Sequence, residues 1–186
     1  MNAKVNLSIN GHITLFQRDG NVDTILLEKD NKFQTGGKEA IVNCLAYGTN
    51  ISHIALLYSS ASSPSAIGAS GGTLTWNDFL TRANTSGNGL ILCPAFMVGV
   101  SETYTTSATG INNTASFVGL SDSGTKVAGI TLATGHKVYA VGLVQTPPSS
   151  VTSLNPVLYA AADITAISKA ANSQIGIRWA TTITVS

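Results

Sequence analysis

Charge is what this chain has least of. Asp, Glu, Lys and Arg make up 10% of its 186 residues, against about 25% in an ordinary globular domain. The net charge is +1 and the ten Lys and Arg residues are scattered. No basic patch is available to track phosphates, so no nucleic-acid partner is expected. Cysteine is almost as scarce. Two residues, Cys44 and Cys93, cannot build a disulfide framework, and both lie in apolar surroundings that suit buried thiols. Long apolar runs are missing too. The most apolar stretch, residues 89–100, is interrupted by Pro94 and falls short of about 18 uninterrupted residues, so no helical membrane span is expected. Met1–Ile9 alternates like a strand and lacks the apolar centre of a leader peptide, which points to synthesis in a cytoplasm. No repeat or coiled-coil heptad is present.

What is present is a globular composition. Apolar residues supply 44% of the chain, too much for disorder, and the length suits one domain spanning 1–186. Ser, Thr, Asn and Gly carry most of the polarity. Ten of the nineteen charges fall within the first 39 residues, and none lies between Lys137 and Asp163. A free monomer keeps a charged surface for solubility. A Ser/Thr/Ala/Gly surface is better tolerated when other subunits cover it, which points to a protein that lives in an assembly.

The clearest local unit is residues 33–58. Thr35 can cap a helix over residues ~36–47, with Ala40, Ile41, Cys44 and Leu45 on its apolar side and Gly48 as its stop. Residues 51–58 then read as a strand with apolar side chains on both faces, which places it centrally and under cover on both sides. Before this unit, residues 1–32 read as a three-strand meander. Asn10-Gly11 marks its first hairpin and Asp19-Gly20-Asn21 its second. Most of the charge lies here, so one face should be wet. Two long loops follow, residues 59–73 and 145–156. The first is rich in Ser and Gly and is expected not to pack internally; the second is stiffened by prolines. Residues 73–82 fit either a strand and turn or one helical turn. Strands are expected at 90–100 (with Pro94 at an edge or bulge), 102–107, 114–120, 126–132, 137–144, 157–163 and 164–168. The last, 174–185, has Ile175, Ile177, Trp179, Thr181 and Ile183 on one face. Turn signals about every ten residues are the pattern of a sandwich or barrel. The expected fold is all-β: a jelly-roll-like sandwich of about ten strands with one short helix.

Constellations that carry chemistry are weak. Asp19-x-Asn21-x-Asp23 with Asp30 echoes a calcium loop, but Thr24 stands where the sharp turn needs Gly, so an acidic hairpin turn is the better reading. His12, His53 and His136 have no metal-ligand spacing; His53 reads as a hydrogen-bonded core histidine. Gly68-Ala69-Ser70-Gly71-Gly72 approaches a nucleophile elbow but has no helix after it. Gly36-Gly37-Lys38 lacks the spacing of a phosphate loop. No catalytic residues, cofactor or metal are expected, and the chain is not read as an enzyme. Trp76, Phe79, Trp179 and Tyr58 fit core packing, with a sugar-binding shelf left open for Trp76.

Phe33-Gln34-Thr35-Gly36-Gly37 opening a helix, then Ile51-Ser52-His53-Ile54-Ala55-Leu56 as a strand and a Ser/Pro/Ala/Gly loop, resembles a group of bacteriophage virion proteins. That group carries an F-x-T-x-G helix followed by an I-x-H-I-A-L-G-T-G strand. Ile164–Lys169 and Ile175–Val185, with Trp179 ahead of the final Ile/Thr strand, are similar to the group's closing strand pair. The chain departs from the pattern at Leu57-Tyr58-Ser59-Ser60, where the group has a Gly-Thr-Gly turn, and its middle has no counterpart. The resemblance implies a jelly-roll-like virion component. Two roles are open: a capsid cement or decoration protein, forming a trimer and bridging the major capsid protein or neighbouring virion subunits, or a tail, baseplate or fibre component that binds host glycans. The expected partner contacts are Ser59, Ser63, Pro64, Ile67, Trp76, Pro147, Pro148, Val151 and Leu154, and the expected location is the virion.

Overall fold

A computed structural model describes residues 7–34, 36–37, 50–104, 111–146 and 156–185. The elements are β1 (Leu7–Asp19), β2 (Val22–Phe33), β3 (Ile51–Ser59), α1 (Trp76–Ala83), β4 (Asn88–Pro94), β5 (Phe96–Tyr104), β6 (Ile111–Leu120), β7 (Thr125–Gly129), β8 (Lys137–Gln145), β9 (Val157–Ser168) and β10 (Gln174–Val185). The fold is all-β, as the sequence predicts. Ten antiparallel strands form one curled sheet in the order β5-β6-β10-β1-β2-β9-β8-β3-β4-β7. The curl is at the β2–β9 contact, where only Lys32 with Ala161 and Phe33 with Ala160 are paired. On either side of that contact the sheet becomes two leaves whose inner faces share one core. Ile13, Leu15, Ile175, Ile177 and Trp179 come from the first leaf and meet Ile54, Leu56, Tyr58, Val141, Leu143 and Tyr159 from the second.

The second leaf is buried on both faces. Its outer face contributes Ala55, Leu57, Leu90, Tyr139, Leu158 and Ala161 to a separate core, closed by Trp76, Phe79 and Ala83 of α1 and by Ala69. This explains the two-sided apolar pattern of β3, which lies between β8 and β4. Burying Trp76 and Phe79 stabilises this third layer by about 1.5–3 kcal/mol each. Phe79 rests on the strand at Gly142, where an added Cβ would come within 3.2 Å of its ring and 2.6 Å of Leu158. The helix resolves the open reading of residues 73–82. Its start is set by a capping box: the Asp78 carboxylate accepts hydrogen bonds from the Thr75 N–H and the Thr75 hydroxyl, each at 2.7 Å.

Three expectations need correction or refinement. Asn10-Gly11 does not turn. β1 runs straight through it, with Gly11 paired to Thr181 of β10 and to Asn31 of β2. The glycine serves close approach instead, because a Cβ at Gly11 would overlap the Asn31 side chain. The stretches 157–163 and 164–168 are one strand, with bulged register against β8. Residues 90–100 divide at Ala95: Pro94 ends β4 in one leaf and β5 enters the other. The turn after Asp19 forms as expected, with Gly20 at φ 58°. Asp23 accepts two hydrogen bonds from Arg18 there, at 2.7 and 2.9 Å. Of the expected helix over ~36–47, Gly36 and Gly37 are helical and residues 38–49 lie outside the described residues.

Two glycines separate backbone strain from steric overlap. Gly20 (φ +58°) has open space where a Cβ would stand, whereas at Gly129 (φ +73°) a Cβ would come within 2.1 Å of the Asn88 carbonyl and 2.4 Å of the Ala83 carbonyl. Gly20→Ala should cost about 1–2 kcal/mol from strain alone, and Gly129→Ala about 3 kcal/mol or more once overpacking is added. Urea unfolding of the two variants checks this; equal losses would contradict the close approach at Gly129.

Candidate interaction surface

Residues 60–75 are not a free loop. Side chains from four elements or their ends hold them as a strap against the second leaf. Lys137 Nζ donates to the Ser62 carbonyl at 2.6 Å and Arg82 Nη2 to the Ala66 carbonyl at 3.1 Å. The Asp163 carboxylate accepts three backbone N–H groups in succession, from Ile67, Gly68 and Ala69, at 2.7, 3.1 and 2.7 Å. Buried Gln34 donates to the carbonyls of Lys32 and Ala69 at 2.8 and 3.0 Å, and its Oε1 accepts the Leu74 N–H at 2.9 Å. Lys29 Nζ completes the set by donating to the Asp163 carbonyl at 2.7 Å. The ties to Ile67, Ala69 and Leu74 satisfy main-chain groups where the segment is partly or fully buried. The expectation that this loop does not pack internally is therefore corrected: Ala69 within it is fully buried, and Ile67 and Leu74 pack against the outer core.

The strap changes the standing of the expected contact residues. Ser59 is 2% exposed and Trp76 is 7% exposed. The Ser59 hydroxyl donates to the Gly87 carbonyl at 3.3 Å and accepts the Ala61 N–H at 3.1 Å. Both side chains are buried within the chain, and Trp76 belongs to the outer core. Ser63 is exposed, while Pro64 and Ile67 are half-buried, with Ile67 packed against the outer core. Pro147, Pro148, Val151 and Leu154 lie outside the described residues. Sequence reasoning missed Gln34 and Asp163. An acid inside an apolar strand segment, Ala160–Ile164, was the available signal, since such a group needs a partner.

The apolar surface lies elsewhere. Phe96, Met97 and Val98 open β5 and are 64%, 63% and 58% exposed. Val22, Ile25 and Leu26 on β2 are exposed as well. Beside β2, where it parts from β9, a cleft of about 400 Å³ is lined by Lys29, Asp30, Asn31, Lys32, Ser70 and Asp163, among others. Its acids and lysines are partly used by the strap.

One polar cluster has the components of chemistry. Ser52 is the extra residue of a bulge between Ile51 and His53 in the pairing with β8, which brings its hydroxyl beside its neighbour's ring. His53 Nδ1 lies 2.9 Å from Ser52 Oγ and 3.3 Å from Thr146 Oγ1. The two hydroxyls are 2.5 Å apart, and the Thr146 N–H donates to Ser52 Oγ at 3.0 Å. The histidine is hydrogen-bonded as the sequence leads one to expect, but it is half-buried rather than part of the core. Among the described residues no carboxylate hydrogen-bonds its ring, so the group that orients the base in a hydrolytic triad is not supplied. Among the described residues, too, no three metal-ligating side chains converge.

No family model, no curated protein and no solved structure matches the chain.

Burial lowers the His53 pKa from 6.5. The folded state thus binds fewer protons than the unfolded state once the pH drops below that value, and stability should fall as the pH falls through the folded pKa. The urea midpoint should decline as the pH falls below the unfolded value of 6.5, and His53→Gln should remove part of that decline. Identical pH profiles for the two proteins would show that His53 does not titrate in this way.

Proposed function

We propose that the chain is a structural virion protein, a cement or decoration protein that stabilises a phage head by bridging coat subunits. The observation that carries this reading is the similarity of Phe33–Gly37, Ile51–Leu56 and the closing strands to phage virion proteins. The structure gives those residues constructional work. Phe33 packs edge-to-face on Tyr159 at 4.8 Å, Gly37 leaves room for the Phe33 ring, and Gln34 ties the strap.

Two features support the role. Charge is sparse, and exposed apolar side chains are grouped on β2 and β5. Such surfaces gain by burial against neighbours, and many weak contacts repeated over a shell add up through avidity. Ser63 and Pro64 on the strap remain candidate contacts with the major capsid protein or another virion subunit. The work is mechanical and takes no cofactor.

Tagging the protein on purified particles and counting copies tests the reading. Hundreds of copies over the head are expected. A few copies confined to the tail would overturn the cement role in favour of a baseplate or fibre component.

A further inference from the structure

A sheet edge presents unpaired N–H and C=O groups that can template another strand, and proteins usually guard such edges with charge, shortness or bulges. The curled sheet ends in β7 and β5. β7 is guarded: it has five residues, a register shift against β4, and Lys126, whose Nζ folds back to the Gly129 carbonyl at 3.4 Å. The stretch of β2 that runs beyond its short contact with β9 is guarded by charge, with Asp23, Glu28, Lys29 and Asp30 along it. β5 is different. It shares with β7 one register shift against its neighbour, between Met97 and Gly99, but it is longer, nine residues, FMVGVSETY, with Glu102 as its only charge. Among the described residues it pairs with β6 alone, and it starts with three consecutive exposed apolar side chains.

We propose that β5 is a self-association edge: it pairs antiparallel with β5 of a second copy across a two-fold axis. The occupant follows from charge and symmetry. Residues 96–101 carry no charge, so a strongly acidic or basic partner strand would find no counter-charge there. The matching surface is another uncharged, apolar edge, which the chain itself provides. A two-fold makes one patch complementary to itself, whereas a ring of three needs two different patches. Antiparallel pairing also continues the all-antiparallel order of the sheet. An edge about 30 Å long and one strand spacing, about 5 Å, wide offers far less than the roughly 1,000 Å² of buried surface that a stable interface needs, so association should be reversible and concentration-dependent. The inference stands on the edge geometry and does not require the virion role.

Sedimentation equilibrium of the full chain from micromolar to near-millimolar concentration tests it. A shift from one-fold to two-fold mass is expected, and Phe96→Lys and Val98→Lys should each weaken association at least tenfold while circular dichroism stays unchanged. Hydrogen exchange of the unmodified chain gives a second readout that no folding defect can confuse. Amides within 96–104 should gain protection as concentration rises. A monomer at every concentration, a three-fold mass, lysine variants that fold and still dimerise, or β5 amides whose exchange ignores concentration would each overturn the proposal.

Discussion

The β3–β8 pair carries apolar side chains on both faces, and most of this architecture follows from that constraint. A strand pair with two apolar faces is stable only when both are covered. The first leaf covers one face through Ile13, Leu15, Ile177 and Trp179. The other face requires a third layer. An eight-residue helix is too small to supply it alone, so residues 60–75 are drawn down beside it. Drawing an irregular segment onto a core threatens to bury unpaired peptide groups, and Asp163, Gln34, Arg82 and Lys137 answer that threat one carbonyl or amide at a time.

Much of this was legible. The β10 boundaries and its buried face followed from alternation, and the central position of β3 followed from apolar residues of both parities. The hairpin at Asn10-Gly11 was misread because dipeptide turn chemistry is local, whereas β1 is held on both sides by β10 and β2. The alternation of Leu7, Ile9, Gly11, Ile13 and Leu15 continues unbroken across the supposed turn. Residues 75–83 held their own signals, a Thr75–Asp78 capping box and Trp76, Phe79, Leu80 and Ala83 at helical spacing. The strap was not legible. Its order comes from side chains up to a hundred residues away, and small polar residues look the same whether pinned or free.

The same economy of charge that makes the interior easy to read leaves the exterior exposed. Charged side chains are few, and Lys29, Arg82, Lys137 and Asp163 among them are engaged in internal ties. The residues expected to meet partners divide accordingly. Ser59 and Trp76 turn inward, Ser63 and Pro64 stay at the surface, and exposed apolar side chains lie on β5 instead.

Hydrogen exchange at the amides of Ile67, Gly68 and Ala69 tests the central constraint most directly. If the third layer is part of the core, these three amides should be protected far beyond an ordinary surface loop and should approach the slow exchange of β3 and β8. Exchange at the rate of an unstructured segment would contradict it. The strap would then be no part of the fold, and the outer face of the second leaf would need another cover.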